Sequence, residues 1–224
     1  MKLHIGIDDA GRGPVIGNMF LGGVLITSEQ GAFLKEQNVK DSKLLSHPTR
    51  IRLSKIIKEN SMAHKVVSAT PEEIDSAVET NNLNSLEARK MAEVIDFLKE
   101  EAKGKEKIEV VVDCPSINIP AWTEKLVGFI KNSDNLIIKC EHKADVNHVS
   151  VSAASILAKV AREENVEKIR KDIKTDFGSG YPADPKTKEF LIKYGEKFSS
   201  SGIIRKSWGT WKAIVAKEKQ KKLF

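Results

Sequence analysis

The sequence predicts an α/β fold, a mixed five-stranded sheet flanked by helices with a helical C-terminal extension, and three observations predict it. Short apolar runs of strand length alternate with segments of helical period. The strands come first and helix and strand then alternate, which is the order of a mixed sheet. The run at 108–113 is apolar on both faces, as a central strand covered by helices must be.

Residues 2–8 read as the first strand, with Leu3, Ile5 and Ile7 on one face, and residues 19–27 as the second, interrupted by Gly22 and Gly23. A helix is expected over 47–59, where Pro48 suits the first turn, and a third strand over 62–69. Thr70-Pro71-Glu72-Glu73 has the form of a capping box opening a short helix, and Asn84 with Glu87 starts a longer one reaching about residue 102. The fourth strand, a helix over 121–131, a fifth strand over 135–140 and a long helix over 149–173 complete the regular part. The Gly/Pro/Asp-rich stretch 176–187 is a loop. It divides a body, 1–175, from a C-terminal part, 176–224, read as a loop and helical extension completing a substrate groove.

Composition suits a soluble protein: 40 % of the 224 residues are hydrophobic, and no apolar stretch approaches the roughly 20 residues that span a bilayer. The N-terminus leads straight into a strand, so a cytoplasmic protein without a membrane partner is expected; a monomer is expected as well. Cys114 and Cys140 have neither zinc nor redox spacing and are expected as free thiols. The net charge of +6 favours a polyanionic partner. Basic residues dominate 205–222, with Trp208 and Trp211 among them, which reads most simply as a solvated helix whose tryptophans pack on the core.

Negative charge is concentrated where it is least expected. Asp8 and Asp9 close the first strand, Asp113 closes the fourth, and Asp145 follows the fifth by a few residues. Gathering several buried carboxylates is costly unless they are protonated, paired or bound to cations. A divalent-metal site, and with it a metal-dependent hydrolase, is the first hypothesis. Successive strand side chains point to opposite faces, so Asp8 and Asp9 converge only if the strand ends there and the chain turns. Gly11 and Gly13 supply a turn and leave backbone amides for phosphate or hydroxyl oxygens. The competing reading is a plain turn carrying surface aspartates.

Asp8-Asp9-Ala10-Gly11-Arg12-Gly13-Pro14-Val15-Ile16-Gly17, then Asp41-Ser42-Lys43-Leu44, Val112-Asp113, Lys143-Ala144-Asp145, the segment from Val151 to Arg162, and Gly180-Tyr181-Pro182-Ala183-Asp184-Pro185-Lys186-Thr187 together resemble the type 2 ribonuclease H (ribonuclease HII) family, archaeal-like, in family order over about residues 5 to 210. The resemblance implies the ribonuclease H fold, with Mg²⁺ or Mn²⁺ as cofactor. It implies an endonuclease that hydrolyses the RNA strand of RNA/DNA hybrids and cuts 5′ of ribonucleotides embedded in duplex DNA. Asp8, Asp9, Asp113 and Asp145 match the family's metal-binding acids. Gly11, Arg12 and Gly13 match the loop that reads the ribose 2′-hydroxyl, and Tyr181 the tyrosine that packs on the following deoxynucleotide's sugar. Lys43, beside Ser42, is a phosphate-contact candidate by the same match. The implied chemistry is two-metal hydrolysis, leaving 5′-phosphate and 3′-hydroxyl ends.

Further readings attach to single residues. Asp145 has a competing reading as N-cap of the helix that follows, but Asn147 could take that role and leave it free for metal. Ser152, Ser155, Lys159 and Arg162 share a helix side suited to a phosphate backbone or simply to solvent. His142 and His148 have no partner at metal-binding spacing and read as structural. The family ordinarily has glutamate where this chain has Asp9, a side chain shorter by roughly 1.5 Å, whereas Mg²⁺ tolerates little error around its short ligand distance. Weaker metal binding or stronger Mn²⁺ dependence follows. Asp9→Glu should therefore lower the metal concentration needed for half-maximal cleavage, and an unchanged dependence would contradict this.

The alternatives are a non-catalytic hybrid-binding module, which would not need four acids, and a related metal-dependent exonuclease, separable by a circular substrate. A P-loop NTPase is disfavoured, since no lysine and Ser/Thr follow the last glycine at 17. The terminus Gln220-Lys221-Lys222-Leu223-Phe224 lacks the paired aromatics of a sliding-clamp peptide, so a clamp partner is not expected.

Overall fold

The computed structural model describes residues 2–40, 45–104 and 106–221. Strands β1 (Leu3–Ala10), β2 (Met19–Thr27), β3 (Ala63–Ala69), β4 (Ile108–Asp113) and β5 (Leu136–Glu141) form one sheet in the order β3-β2-β1-β4-β5. β1 pairs antiparallel with β2 and parallel with β4, which pairs parallel with β5. The carboxyl ends of β1, β4 and β5 therefore share one edge of the sheet, the edge at which α/β folds bind ligands.

Helix α1 (Ser28–Glu36) was not expected, although its signal was present: the Thr27 hydroxyl accepts from the Gln30 amide and the Gln30 side chain accepts from the Thr27 amide, a complete capping box. Its polar first turn and Gly31 hide the apolar period. Helix α2 (His47–Asn60) starts after the N-cap Ser46 with Pro48 in its first turn, and α3 (Pro71–Glu79) opens on the expected Thr70–Glu73 capping box. Helix α4 covers Leu83–Glu101. Helix α5 (Ile119–Phe129) starts two residues earlier than expected because the Asn118 side chain accepts from the Ala121 amide at 3.2 Å. A single unexpected turn, α6 (Ala144–Asn147), precedes α7 (Val149–Ile173). Helices α8 (Pro185–Phe198) and α9 (Gly209–Lys221) make up the C-terminal extension. No helix among the described residues is long and apolar enough to cross a membrane. Both cysteines are free.

The chain forms two compact units. The first comprises Met1–Ala10, Phe20–Ser68 and Asn84–Ala161, and the second Gly11–Met19, Ala69–Leu83 and Arg162–Phe224. In the first, Val24 and Ile26 of β2 pack with Leu34, Leu53 and Ile57 and with Ala153, Ile156, Leu157 and Val160 of α7. Helix α7 can lie this close because the sheet is bare where it crosses: a Cβ on Gly6 would fall 2.1 Å from the Ser150 carbonyl carbon, and one on Gly22 2.7 Å from the Ala154 oxygen. Gly23 faces the other side, where a Cβ would meet Val94 of α4 at 2.4 Å. The two glycines that break the second strand's apolar pattern are thus the marks of helices pressed on both faces. In the second unit, Val15, Ile16, Phe177, Phe190, Leu191, Ile204 and Trp211 form the core.

Candidate active site

Strand β1 does not stop at Asp8. Its pairing with β2 runs on through Asp9↔Leu21 to Ala10↔Phe20, so the expected turn comes only at Gly11, with φ +88; the Asp9 carboxylate nevertheless stays close enough to Asp8 to act on its charge. The ladder to Phe20 outweighs the turn signal of the glycines. Asp8 is on the α7 face, the same side as Gly6. Val111 packs with Ala144 and Val151, which puts Asp113 on that face too. The last ladder pair between the two strands is Ile7↔Val112. Asp8 and Asp113 follow it directly, side by side on one face.

Asp8 is 5 % exposed. Burial first, and then repulsion from Asp9 and Asp113, pushes its carboxyl well above the usual carboxylate range, against the Ser155 hydroxyl and the Asp9 amide, which favour the charged form. The Asp9 amide donates to Asp8 Oδ1 at 2.7 Å. Asp113 Oδ1 accepts from the Ala144 amide at 2.8 Å, an amide aimed there by the left-handed Lys143, with φ 58. Asp145 lies within α6, 1 % exposed. The Ser152 hydroxyl donates to the Asp145 carbonyl at 2.5 Å and to His148 O at 3.2 Å. Ser155 and Ser152 are thus buried among the acids. His148 Nε2 pairs with Glu141 Oε1 at 2.8 Å, and His142 Nδ1 lies 3.1 Å from Cys114 O. No three His, Cys, Asp or Glu side chains among the described residues close into a metal cage.

The electrostatics of Asp8 carry a measurable consequence. Because the folded state holds this proton more tightly than the unfolded chain does, the metal-free protein loses stability as pH rises from the ordinary carboxylate range through the raised folded value. Asp8→Asn removes that penalty. In chelator at neutral pH its melting temperature should exceed the parent's by a few degrees, about 2–4 °C per kcal/mol relieved, and an equal or lower midpoint would contradict the arrangement.

Within the second unit, a Cβ on Gly13 would lie 3.4 Å from the Tyr181 ring. Tyr181 is 40 % exposed, and the Arg162 guanidinium sits 4.8 Å from the ring centroid while donating to Ser179 O at 2.7 Å. The ring is thus backed by a cation and is not a buried anchor. Arg205, read from the sequence as the start of a solvated basic tail, is fully buried, and α9 begins only at Gly209. Lys159 lies in α7, partly buried. Ser42 and Lys43 lie outside the described residues.

Comparison with known proteins agrees with this architecture. The profile of the family Ribonuclease HII matches residues 5–211. A Ribonuclease HII from Methanococcus maripaludis (strain C6) is 40 % identical over all of this chain and 91 % of its own length. Among solved structures, the ribonuclease H2 of Pyrococcus horikoshii OT3 superimposes with a TM-score of 0.83 at 34 % identity, covering 95 % of this chain and 96 % of that one. The PCNA:RNase HII complex from Archaeoglobus fulgidus gives a TM-score of 0.77 at 32 % identity, covering 91 % and 92 %. With acids at the carboxyl ends of parallel strands and homology along its whole length, the chain belongs to the ribonuclease HII family of metal-dependent endoribonucleases.

Proposed function

We propose that the chain hydrolyses the RNA strand of RNA/DNA hybrids and cuts on the 5′ side of ribonucleotides embedded in duplex DNA, leaving 5′-phosphate and 3′-hydroxyl ends. The observation that carries this reading is the side-by-side placement of Asp8 and Asp113 on one face of neighbouring parallel strands, with Asp8 buried so far that its charge calls for a cation. The donor set is oxygen only, which suits Mg²⁺ or Mn²⁺ and not the softer transition metals. Asp8, Asp9, Asp113 and Asp145 are the residues that would hold two such ions. When bound, these ions supply a water of lowered pKa and stabilise the charge on the leaving 3′-oxygen.

The chain's own residues prepare that site. Ser155 and the Asp9 amide fix the orientation of Asp8, the Ala144 amide fixes Asp113, and Ser152 ties down the turn that carries Asp145. In the second unit, the amides of the Gly11-Arg12-Gly13 loop bind the ribose 2′-hydroxyl. The Tyr181 ring takes the next sugar, where a deoxyribose fits and a 2′-hydroxyl would clash, so the preferred cut is at an RNA-to-DNA junction. Lys43 and Ser42, with Lys159 and Arg162, contact phosphates, the usual sequence-independent part of nucleic-acid affinity. The chain works as a cytoplasmic monomer. The expectation against a clamp partner rests on Leu223 and Phe224, outside the described residues; the PCNA complex of the A. fulgidus relative fits clamp binding rather than opposing it.

The test is a DNA duplex with one internal ribonucleotide, incubated with Mg²⁺, Mn²⁺ or chelator, followed by mapping of the ends. A single cut 5′ of the ribonucleotide in either metal and none in chelator is expected. Cutting on the 3′ side, a ladder of end-dependent products, or cleavage that survives chelation would overturn the proposal.

A further inference from the structure

Several carbonyls of the glycine loop are held by one short segment nearly two hundred residues away in sequence. Arg205 donates from Nη2 to Gly11 O at 2.6 Å, from Nη1 to Arg12 O at 2.8 Å and from Nε to Gly17 O at 2.9 Å. Trp208 Nε1 donates to Gly13 O at 3.0 Å. The Arg205 guanidinium also lies 5.0 Å from the Trp208 ring, and its own amide donates to Val15 O at 2.9 Å. The segment is fixed in turn by α3: Asp75 accepts from the Lys206 amide at 2.7 Å and from the Ser207 amide and hydroxyl at 2.9 and 2.6 Å.

The loop's carbonyls and amides are geometrically linked. In a trans peptide the C=O and the following N–H point in opposite directions, and no cis peptide occurs among the described residues. Holding Gly11 O against Arg205 therefore aims the Arg12 amide away from the guanidinium, and holding Arg12 O aims the Gly13 amide the same way. Pro14 follows Gly13 and has no amide to aim. Three carbonyls around one planar fork need the donor geometry of arginine; the point charge of lysine cannot reproduce it.

We propose that Arg205, assisted by Trp208 and braced by Asp75, is a positioning residue for ribonucleotide recognition: it grips the back of the Gly11–Gly13 loop and so fixes the direction of the two amides that meet the 2′-hydroxyl. This rests on the reading of that loop as the ribose sensor. It predicts that weakening the grip erodes the discrimination between ribose and deoxyribose rather than affinity for duplex in general, which phosphate contacts carry.

The experiment measures affinity for two duplexes, one with a single ribonucleotide and one all DNA, in an Asp113→Asn background that prevents turnover. Arg205→Lys and Trp208→Phe are compared with the background protein, with melting temperatures recorded for each. Arg205→Lys should lower the ribose-to-deoxyribose affinity ratio by about five- to tenfold and Trp208→Phe by about two- to threefold, the scale of one or two neutral hydrogen bonds, with all-DNA affinity unchanged. A structural defect would lower both affinities together, leave the ratio intact and overturn the proposal. If Arg205→Lys does not fold, Trp208→Phe decides on the same criterion. A background protein without ribose preference would sink the ribose-sensor reading and this inference with it, whereas a preference that survives both substitutions would sink this inference alone.

Discussion

Asp113→Asn should reduce cleavage by on the order of 10² to 10³-fold, the cost of one preorganised electrostatic contact at a reacting phosphate, while binding of an RNA/DNA hybrid stays within about twofold, since backbone contacts dominate affinity. The substitution is nearly isosteric. The Asn oxygen can still accept from the Ala144 amide, as Asp113 Oδ1 does at 2.8 Å, so the turn leading into α6 survives and the loss is one of charge. Removing a negative charge from beside buried Asp8 also relieves the repulsion that raises its carboxyl. The variant should therefore be inactive, well folded and no less stable than the parent. Loss of hybrid affinity together with cleavage would instead make Asp113 part of substrate binding and contradict a purely catalytic role.

Gly6→Ala is expected to damage the fold by at least about 3 kcal/mol, the upper range for overpacking, because the new methyl would sit 2.1 to 2.3 Å from three backbone atoms of Ser150 and Val151. Backbone cannot rotate out of the way as a side chain can. Either β1 bulges or the first turns of α7 lift from the sheet, and both movements separate Ser155 from Asp8. A melting temperature lower by about 6–12 °C follows from 2–4 °C per kcal/mol, together with a fall in activity. Gly128→Ala is the control. It sits in α5 with nothing within 4 Å of the added Cβ, so it should be neutral or stabilising by up to about 1 kcal/mol through helix propensity.

Much of this architecture is legible because periodicity and burial act locally. The both-faces-apolar run at 108–113 could only be a covered strand, and its terminal aspartate could only lie at the sheet's edge. The capping box at Thr70 and Pro48 in the first turn of α2 mark helix starts locally, the former through hydrogen bonds spanning three residues. What escaped depends on pairing between distant segments. Whether β1 ends at Asp8 or Ala10 is decided by Phe20 on the neighbouring strand. The α6 turn exists because the Ala144 amide finds Asp113, 31 residues upstream. Arg205 reads as a solvated cation by composition, and its burial is intelligible only once the carbonyls of Gly11, Arg12 and Gly17 are seen around it.

The role of Ser152 and Ser155 shows the same limit at the site. Their spacing on α7 puts them on one helix face, which composition alone assigns to phosphate or solvent. The glycines at 6 and 22 draw that helix onto the sheet, and the hydroxyls then meet Asp8 and the Asp145 carbonyl. A small residue in a strand was the available signal, and it concerned a neighbour rather than the serines themselves.

Carboxylates from β1, β4 and α6 are proposed to hold divalent cations. Calorimetric titration of Mn²⁺ into the metal-free protein, alongside Asp113→Asn, tests it without any substrate. Saturable binding by the parent is expected, with affinity weakened at least about tenfold in the variant, the minimum expected when a metal's ligand environment is altered. Equal affinity in the two proteins, or no binding by the parent at millimolar Mn²⁺, would contradict it.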